Sequence, residues 1–346
     1  MTIRNPTSTT GLMNLSADVS VHIDWLVHGP IRRSDGLLAA WVEDGRPSFL
    51  YEEASAFFVS LCAWWYRRTG DRTLGEEARR TLWTLASAAN THGGLGRDGQ
   101  VYLFDTLVGL RAARDFAAAF GEDGLSAAFA RKCRETAIAL ARERRATRGG
   151  TGQRPERWSS VINVHHLKVL PLLLDADDEA QISGLFDVIA HRFSDRPSGW
   201  FCVDAEHTRI YTHAHAYAVE GIIAVASRTG TWRDSLPFPA VEALARVQRR
   251  DGALPRHVRR ADEDEGSREA AALDATAQAA RIWQCVDETH YAEQIASALA
   301  FLRRRANPAG GFVYADDVPH LNSWTTIFAV QALAWGEGPG ESEFLI

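Results

Sequence analysis

The chain has 346 residues, 46% of them hydrophobic and 24% charged, which is typical of a soluble globular protein. The net charge of −6 and the lack of a basic stripe interleaved with aromatic residues argue against nucleic acid as a partner. No apolar run approaches the length of a membrane span, and the first residues lack the apolar core of a signal peptide, so we expect no membrane partner and a cytoplasmic location. The four cysteines form no CxxC pair, and we expect free thiols at Cys62, Cys133 and Cys285.

The two ends of the chain differ from its middle. Residues 1–20 are polar and rich in Thr and Ser, and we expect a loose N-terminal arm. An amphipathic helix begins at His22 and stops at His28, before the Gly29-Pro30 pair. Residues 337–346 are rich in Gly and Glu and are expected to form a loose tail. The middle, residues 21–336, is expected to form a single domain.

This middle contains one unit repeated about six times. Each unit has a glycine turn, a polar loop, a helix with few charges and a second, more charged helix. The turns fall at Gly36, Gly94, Gly149, Gly199, Gly252 and Gly311. The first helix of each pair should be buried on most sides, whereas the second is amphipathic and should face solvent. We therefore predict an all-α fold, a single (α/α)6 barrel (toroid) of about six helical hairpins around a central cavity.

The helix boundaries follow from the same pattern. The second helices are predicted at Thr73 to Ala89, Gly124 to Arg144, Glu179 to Arg192 and Tyr291 to Arg304. In the third unit, the first helix begins at Asn163 and is interrupted by Pro171. Residues 256–268 form a long acidic loop, and its length suggests a lid or a rim element.

The glycine turns also resemble those of a known group of proteins. Gly311-Phe312, with Asn307 to Gly310 before it and Trp324 to Trp335 after it, resembles the repeat of terpenoid cyclases and protein prenyltransferase β-subunits. Gly94 to Leu110 and Gln248 to Leu254 are similar. The resemblance implies the α/α toroid. Six-hairpin glycosidases, sugar 2-epimerases and polysaccharide lyases share this ring, so the ring alone does not choose a function.

Two motifs test the resemblance further. Asp175 to Asp178 matches the DxDD motif of class II terpenoid cyclases, in which the middle aspartate, Asp177 here, protonates an alkene. The motif follows the third inner helix, at the end of the ring away from the helix openings, where an acidic run suits a helix N-terminus. His215 resembles the zinc-binding histidine of prenyltransferases, but no Asp-x-Cys pair precedes it.

The openings of the inner helices carry the residues suited to chemistry. Histidines beside carboxylates support proton transfer near neutral pH. The candidate catalytic residues are His213, His215, His165, Asp105, Asp274, Glu53 and Tyr211. Helix geometry should let only one histidine of each neighbouring pair, His165/His166 and His213/His215, point into the cavity. Glu220 lies on the same face as His213, where it either orients that imidazole or points outward.

A second set of residues is suited to holding a substrate. Aromatic rings stack on sugars or enclose hydrocarbons, and the polar residues among them favour a hydroxyl-rich ligand. The candidates are Trp41, Tyr51, Tyr102, Trp158, Trp200, Asp316, His320, Asn322 and Trp324. Because no compact ligand motif such as HExxH is present, we predict neither a metal nor a cofactor.

The leading hypothesis is an enzyme that acts on a carbohydrate or similar polar small molecule by acid–base chemistry. Hydrolysis would use a carboxylate pair among Glu53, Asp105, Asp274 and Asp316. β-Elimination or epimerisation would use His213 or His215 with His165, aided by Tyr211. The alternatives are a terpenoid-cyclase-like enzyme acting on an isoprenoid and a non-catalytic toroid that binds a glycan or protein. The oligomeric state stays open.

Overall fold

The computed structural model describes residues 17–146, 162–174, 179–229, 237–259 and 269–336. It confirms the predicted α/α toroid. The outer helices are α1 (Ala17–His28), α3 (Thr73–His92), α5 (Gly124–Ala146), α6 (Glu179–Phe193), α8 (Pro237–Arg246) and α10 (Ala292–Arg305). The inner helices are α2 (Glu52–Thr69), α4 (Leu103–Phe120), α7 (Thr212–Thr229), α9 (Leu273–Asp287) and α11 (Ser323–Trp335).

The third inner position differs from the others. It is occupied by two 3-10 helices, Val164–Lys168 and Leu170–Leu173, with Pro171 inside the second. The interruption predicted at Pro171 is therefore confirmed, although the segment before it is 3-10 rather than α-helical. Each inner element contacts the next, and α11 returns to α2, so the inner ring is closed.

Burial separates the two rings of helices as the charge pattern predicts. In α2 every residue from Glu53 to Trp65 is buried, whereas α3 buries a single face that includes Leu74, Ala78 and Leu82. An inner helix is surrounded by protein, so its sequence is apolar on all sides, while an outer helix needs only one apolar stripe. None of the four cysteines, which all lie within the described ranges, forms a disulfide. Within the described ranges, no helix has both the length and the apolar character needed to cross a membrane.

Short strands connect the helices at the mouth of the ring. They are β1 (Trp41–Glu43), β2 (Arg46–Pro47), β3 (Gly96–Arg97), β4 (Gln100–Val101), β5 (Ser194–Asp195), β6 (Trp200–Phe201), β7 (Ile210–Tyr211), β8 (Leu254–Pro255), β9 (His257–Val258), β10 (Ala271–Ala272), β11 (Phe312–Val313) and β12 (Leu321–Asn322). One antiparallel sheet, in the order β11-β12-β1-β2, pairs Trp41 with Asn322. The last hairpin is completed by α1, which packs against α11. The first and last parts of the chain thus close the ring together.

A repeated hydrogen bond fixes the turn to the inner helix in the five units whose glycine turns the structure describes. A backbone N–H just after the glycine turn donates to a side chain in the first turn of that helix. The pairs are Leu38 to Ser55 Oγ, Leu95 to Thr106 Oγ1, Phe201 to His215 Nδ1, Leu254 to Thr276 Oγ1 and Phe312 to Thr326 Oγ1. We call these five side chains the turn anchors. They set a common register for the inner helices.

Two of the glycine turns also lie directly against an outer helix. Gly199 and Gly252 have φ of 81° and 92°, and a Cβ there would lie 2.3 Å from the Pro239 oxygen and 2.0 Å from the Ser297 oxygen. Only glycine fits both the backbone conformation and the space. The predicted turn at Gly149, like Trp158 and Asp175 to Asp178, lies outside the described residues.

Candidate active site

The turn anchors place a set of ionisable side chains at one level of the ring. Glu53, His213 and Asp274 each lie two residues before an anchor, on α2, α7 and α9, and Asp105 directly precedes the anchor of α4. Glu53, Asp105 and Asp274 are buried, whereas the His213 side chain keeps 22% of its surface exposed. We call these four residues the acid–base layer. The predicted convergence of helix openings thus brings together four of the seven catalytic candidates.

His213 and Asp274 form the most direct contact in this layer. His213 Nδ1 lies 2.8 Å from Asp274 Oδ2, at contact distance but without the alignment of a hydrogen bond. The other carboxylate oxygen, Oδ1, accepts a hydrogen bond from the Ala275 N–H at 2.6 Å, which fixes the carboxylate. A buried carboxylate beside an imidazole stabilises the protonated ring, so this pair is suited to a general base.

Glu53 is a second group in this layer that is suited to proton transfer. The Tyr51 hydroxyl donates to Glu53 Oε2. Burial raises the pKa of Glu53 to about 7, while the Tyr51 hydrogen bond and the nearby His213 and Lys168 act to lower it. A carboxyl group with this pKa can both give and take a proton near neutral pH.

Asp105 has a more extreme environment. It is fully buried, and neither carboxylate oxygen accepts a hydrogen bond from another residue in the part of the chain that the structure describes. Burial, with the nearby Glu53 and Glu52, holds the pKa of Asp105 well above its ordinary value of 3.8. Such a site favours the protonated form of a carboxyl group, which can donate a proton.

His165 lies close to this layer and is uncharged. Burial, followed by the charges of His166 and His213, holds the pKa of His165 well below 6.5. Its ring centre is 5.3 Å from that of Phe104. The adjacent His166 takes part in the capping of its own 3-10 helix with Asn163. His165 is therefore the histidine of this pair that we keep as a catalytic candidate, as a neutral imidazole.

His215 does not belong to the acid–base layer. It is fully buried, its Nδ1 accepts from the Phe201 N–H, and its Nε2 donates to the Ala240 carbonyl at 2.9 Å. Burial lowers its pKa to about 4. With both nitrogens engaged by the backbone, His215 fastens a turn and an outer helix to α7. We therefore leave His215 out of the catalytic candidates. For the same reason we no longer use its resemblance to a zinc-binding histidine.

Several predicted substrate-binding residues also have structural roles. Asn322 caps α11 by accepting from the Thr325 N–H at 2.9 Å, and Trp200 is fully buried against His215. Asp316 accepts from the Ala271 N–H. The Tyr102 hydroxyl donates to Gln100. These four residues are near the mouth in sequence, but the hydrogen bonds of Asn322, Asp316 and Tyr102 and the ring contact of Trp200 hold the fold together.

The remaining predicted residues form a partly exposed aromatic rim. The Tyr51 ring centre is 5.9 Å from that of Trp324, and Trp41 stacks on His320 at 4.9 Å. Tyr211 contacts His257 edge-on. These half-buried rings stay candidates for substrate contact, and Tyr211 belongs with them rather than with the acid–base layer.

Sequence reasoning missed a buried group beneath this layer. Lys168 Nζ lies 2.5 Å from Glu220 Oε2, and Arg281 donates to Glu220 Oε1 at 2.7 Å. All three are fully buried, and we call them the charged cluster. Glu220 therefore neither orients His213 nor points outward, contrary to both readings of the sequence. A usable signal existed, because isolated charges inside otherwise apolar inner helices require buried partners.

Within the described ranges, no three or more His, Cys, Asp or Glu side chains are arranged to hold a metal ion.

Comparison with known proteins gives likeness in structure only. No family model and no curated protein matches the chain. An unsaturated glucuronyl hydrolase specific for heparin superposes with a TM-score of 0.68 at 13% identity, covering 92% of this chain and 96% of that one. A sugar epimerase from a ruminal bacterium gives 0.65 at 11% identity, covering 93% and 99%. An alpha-1,6-mannanase from Salegentibacter sp. gives 0.60 at 13%, covering 91% and 97%. The chain thus shares the α/α-toroid fold of the six-hairpin glycosidase-like proteins over nearly its whole length.

Proposed function

We propose that this protein is an enzyme that acts on a carbohydrate in the central cavity by acid–base catalysis, with glycoside hydrolysis as the reaction. The observation that carries the proposal is the acid–base layer, in which buried carboxyl groups lie beside an imidazole–carboxylate contact. Glu53 and Asp105 are buried carboxyl groups with raised pKa values, and His213 lies against the Asp274 carboxylate. Paired groups whose environments separate their proton affinities are typical of acid and base partners.

The roles follow from these environments. Asp105, whose burial favours the protonated carboxyl form, is the candidate general acid that protonates the leaving glycosidic oxygen. His213, with Asp274 behind it, is the candidate general base that activates water. Glu53, with a pKa of about 7, is placed to return the proton between turnovers.

The surroundings support a sugar as the ligand. The half-buried Tyr51, Trp41 and Trp324 offer ring faces and edges at the rim. The three structural neighbours are named for a glucuronyl hydrolase, a mannanase and a sugar epimerase, and this supports a carbohydrate substrate. The four ionisable groups of the layer make a polar site, which is poorly suited to sheltering a carbocation.

Elimination and epimerisation would use the same site differently. His213 would then remove a proton from carbon. The Tyr51 hydroxyl or Glu53 would protonate the departing oxygen in elimination, or return a proton to the opposite face of the same carbon in epimerisation. We rank these reactions second, because a protonated carboxyl such as Asp105 is required for glycoside hydrolysis and less so for carbon deprotonation. The isoprenoid alternative depends on Asp177, which lies outside the described residues.

One panel experiment separates these reactions. The protein is incubated with neutral and uronate-containing oligosaccharides while new reducing ends, ultraviolet absorbance of unsaturated products and deuterium uptake from solvent are recorded. New reducing ends without absorbance support hydrolysis. Absorbance indicates elimination, and deuterium in an unbroken sugar indicates epimerisation; either result overturns the hydrolysis assignment.

Variants connect the activity to the site. Asp105→Asn and His213→Asn should abolish turnover without unfolding the protein. Glu293→Gln, an exposed carboxylate on the outer helix α10, is the matched control and should leave turnover unchanged. Full activity in both site variants, or no turnover of any sugar by the unmodified protein, would contradict the proposed function.

A further inference from the structure

The inner helices arrange their side chains in layers below the mouth. Residues seven positions apart lie on the same face of a helix, about 10 Å apart along its axis. Glu220 lies seven residues below His213 on α7, and Arg281 lies seven residues below Asp274 on α9. The charged cluster is thus a second polar layer directly beneath the acid–base layer.

Lys168 connects the two layers. It comes from the first 3-10 helix, in which residues three apart share a face, so Lys168 lies on the face of His165. Its Nζ is 4.2 Å from the centre of the Tyr217 ring, and the His213 ring lies 4.2 Å from that same ring. The ammonium, the phenol and the imidazole therefore form a column along α7.

The charges of this cluster do not cancel. Lys168 and Arg281 are cations, and Glu220 is their only carboxylate partner among the described residues. The excess charge faces rings instead, since Lys168 Nζ also lies 5.0 Å from the Phe328 ring and 5.7 Å from the Phe57 ring. A buried net positive charge is costly, and such groups concentrate at functional sites.

Glu53 lies on the face of α2 that this charge meets, because it comes four residues before Phe57, whose ring is 5.7 Å from Lys168 Nζ. The groups around Glu53 are Tyr51 on its own segment, Asp105 from α4, His213 and Tyr217 from α7, and Lys168 from the 3-10 helix. Lys168 in turn faces Glu220, Arg281 and Glu53, and burial lowers its pKa to about 8. Burial favours a permanently protonated Glu53, and the Lys168 charge opposes that tendency.

We infer that Lys168 is a positioning residue whose buried charge, held by Glu220 beneath the acid–base layer, keeps Glu53 able to release and regain a proton at neutral pH. The inference rests on the proposed function for its catalytic meaning, because Lys168 itself touches no reacting group. Its physical content, the coupling between two side chains, does not depend on any substrate.

The decisive experiment is a carboxyl-carbon NMR titration of Glu53 in protein labelled at glutamate, with the signal assigned through Glu53→Gln. Lys168→Met removes one cation and leaves Glu220 paired with Arg281, so the cluster becomes neutral. The Glu53 midpoint should rise by about one pH unit, the order expected for a nearby charge in a protein interior. Arg281→Met is the matched control. It leaves Glu220 paired with Lys168 and removes the other cation, whose guanidinium donates to Glu220 and Gln331.

The outcomes separate the inference from the proposed function. An unmoved Glu53 midpoint in folded Lys168→Met, or an equal rise in Arg281→Met, overturns the inference. If Lys168→Met does not fold, Lys168→Gln, whose amide can still donate to Glu220, is titrated and judged in the same way. Should neither fold, the unmodified protein decides, because coupled groups titrate together and the Glu53 signal must show a second inflection as Lys168 loses its proton. A flat curve there overturns the inference.

A functional readout follows where a substrate has been found. In Lys168→Met the pH profile of kcat should move to higher pH with Glu53, while KM changes little. A uniform loss of kcat with an unmoved profile would indicate a merely structural role. If the NMR midpoint moves but no sugar is turned over by the unmodified protein, the proposed function fails and the coupling of Lys168 to Glu53 stands.

Discussion

His213 Nδ1 lies 2.8 Å from Asp274 Oδ2, and this contact joins the first turns of two neighbouring inner helices, α7 and α9. The two residues occupy equivalent positions in consecutive units, each two residues before its turn anchor. A ring of repeats thus creates a site by placing different side chains at one repeated position. The contact between an imidazole and a buried carboxylate arises here between units rather than within one helix.

Asp274→Asn should reduce kcat by about 10²- to 10⁴-fold, the usual contribution of general acid–base catalysis. The amide keeps the size of the side chain and can still accept from the Ala275 N–H, but it cannot stabilise a protonated His213. Steady-state kinetics on a substrate identified in the panel, together with a thermal unfolding curve, provide the test. A variant that keeps wild-type kcat would show that His213 works without Asp274.

Glu53→Gln should stabilise the folded protein at alkaline pH while it lowers activity. The pKa of Glu53 is about 7 in the folded protein and 4.5 ordinarily, so the folded state binds more protons between these values. Stability contributed by this group is present below pH 4.5 and is lost as pH rises to about 7, a total of about 3 kcal/mol. Gln, which never ionises and can still accept from Tyr51, avoids that loss.

Urea unfolding of wild type and Glu53→Gln at pH 5 and pH 8 measures this effect. The gain in unfolding free energy should be larger at pH 8. Glu76→Gln, an exposed carboxylate in the first turn of α3, serves as the control and should show no such pH dependence. Equal stability differences at both pH values would show that Glu53 is not strained by burial.

The sequence was sufficient to predict the toroid and most helix boundaries. The predicted second helices Thr73 to Ala89 and Gly124 to Arg144 match α3 and α5 closely, because turn glycines and one-sided charge are local signals. The choice between His213 and His215 is not local. The loop from Gly252 to the turn anchor Thr276 is much longer than the loop from Gly93 to the turn anchor Thr106. The number of residues after the turn glycine therefore does not identify which residue is the anchor.

Long-range pairing is the other part that sequence reasoning could not reach. Lys168 and Glu220 are 52 residues apart, and the local sequence around either residue does not identify its partner. The same holds for Trp200 and Asn322, whose positions near the mouth predicted substrate contact. Their burial depends on how neighbouring units pack.

His215→Ala should destabilise the protein without changing the chemistry of the folded fraction. It removes two buried hydrogen bonds, to Phe201 and Ala240, and leaves a cavity, so we expect a loss of about 2 to 4 kcal/mol at pH 7.5. Kinetics at a temperature well below the unfolding midpoint should give a kcat close to that of wild type. A collapse of kcat in fully folded His215→Ala would return this residue to the catalytic candidates.

The same variant should alter the pH dependence of stability. The pKa of His215 is about 4 in the folded protein, against 6.5 ordinarily, so the unfolded state binds more protons in this range. Wild type should therefore lose about 3 kcal/mol from this group as pH falls from 6.5 to 4. Because the variant lacks the group, the difference in stability between the two proteins should shrink over that range.

Gly221→Ala should be the most damaging of these small substitutions. A Cβ at Gly221 would lie 1.9 Å from the Leu167 carbonyl oxygen and 2.8 Å from the Lys168 nitrogen, both backbone atoms of the first 3-10 helix. Alanine would force α7 away from that helix and would move Lys168 from Glu220. We expect a loss of about 3 kcal/mol or more, despite the better intrinsic helix propensity of alanine.

Gly124→Ala, at the exposed start of α5 with no atom within 4 Å of the added Cβ, is the matched control and should be neutral or slightly stabilising. Denaturant unfolding of both variants measures the contrast. Equal stability of the two would mean that α7 and the 3-10 helix can separate freely, and the close approach that places Lys168 beneath the acid–base layer would no longer be required.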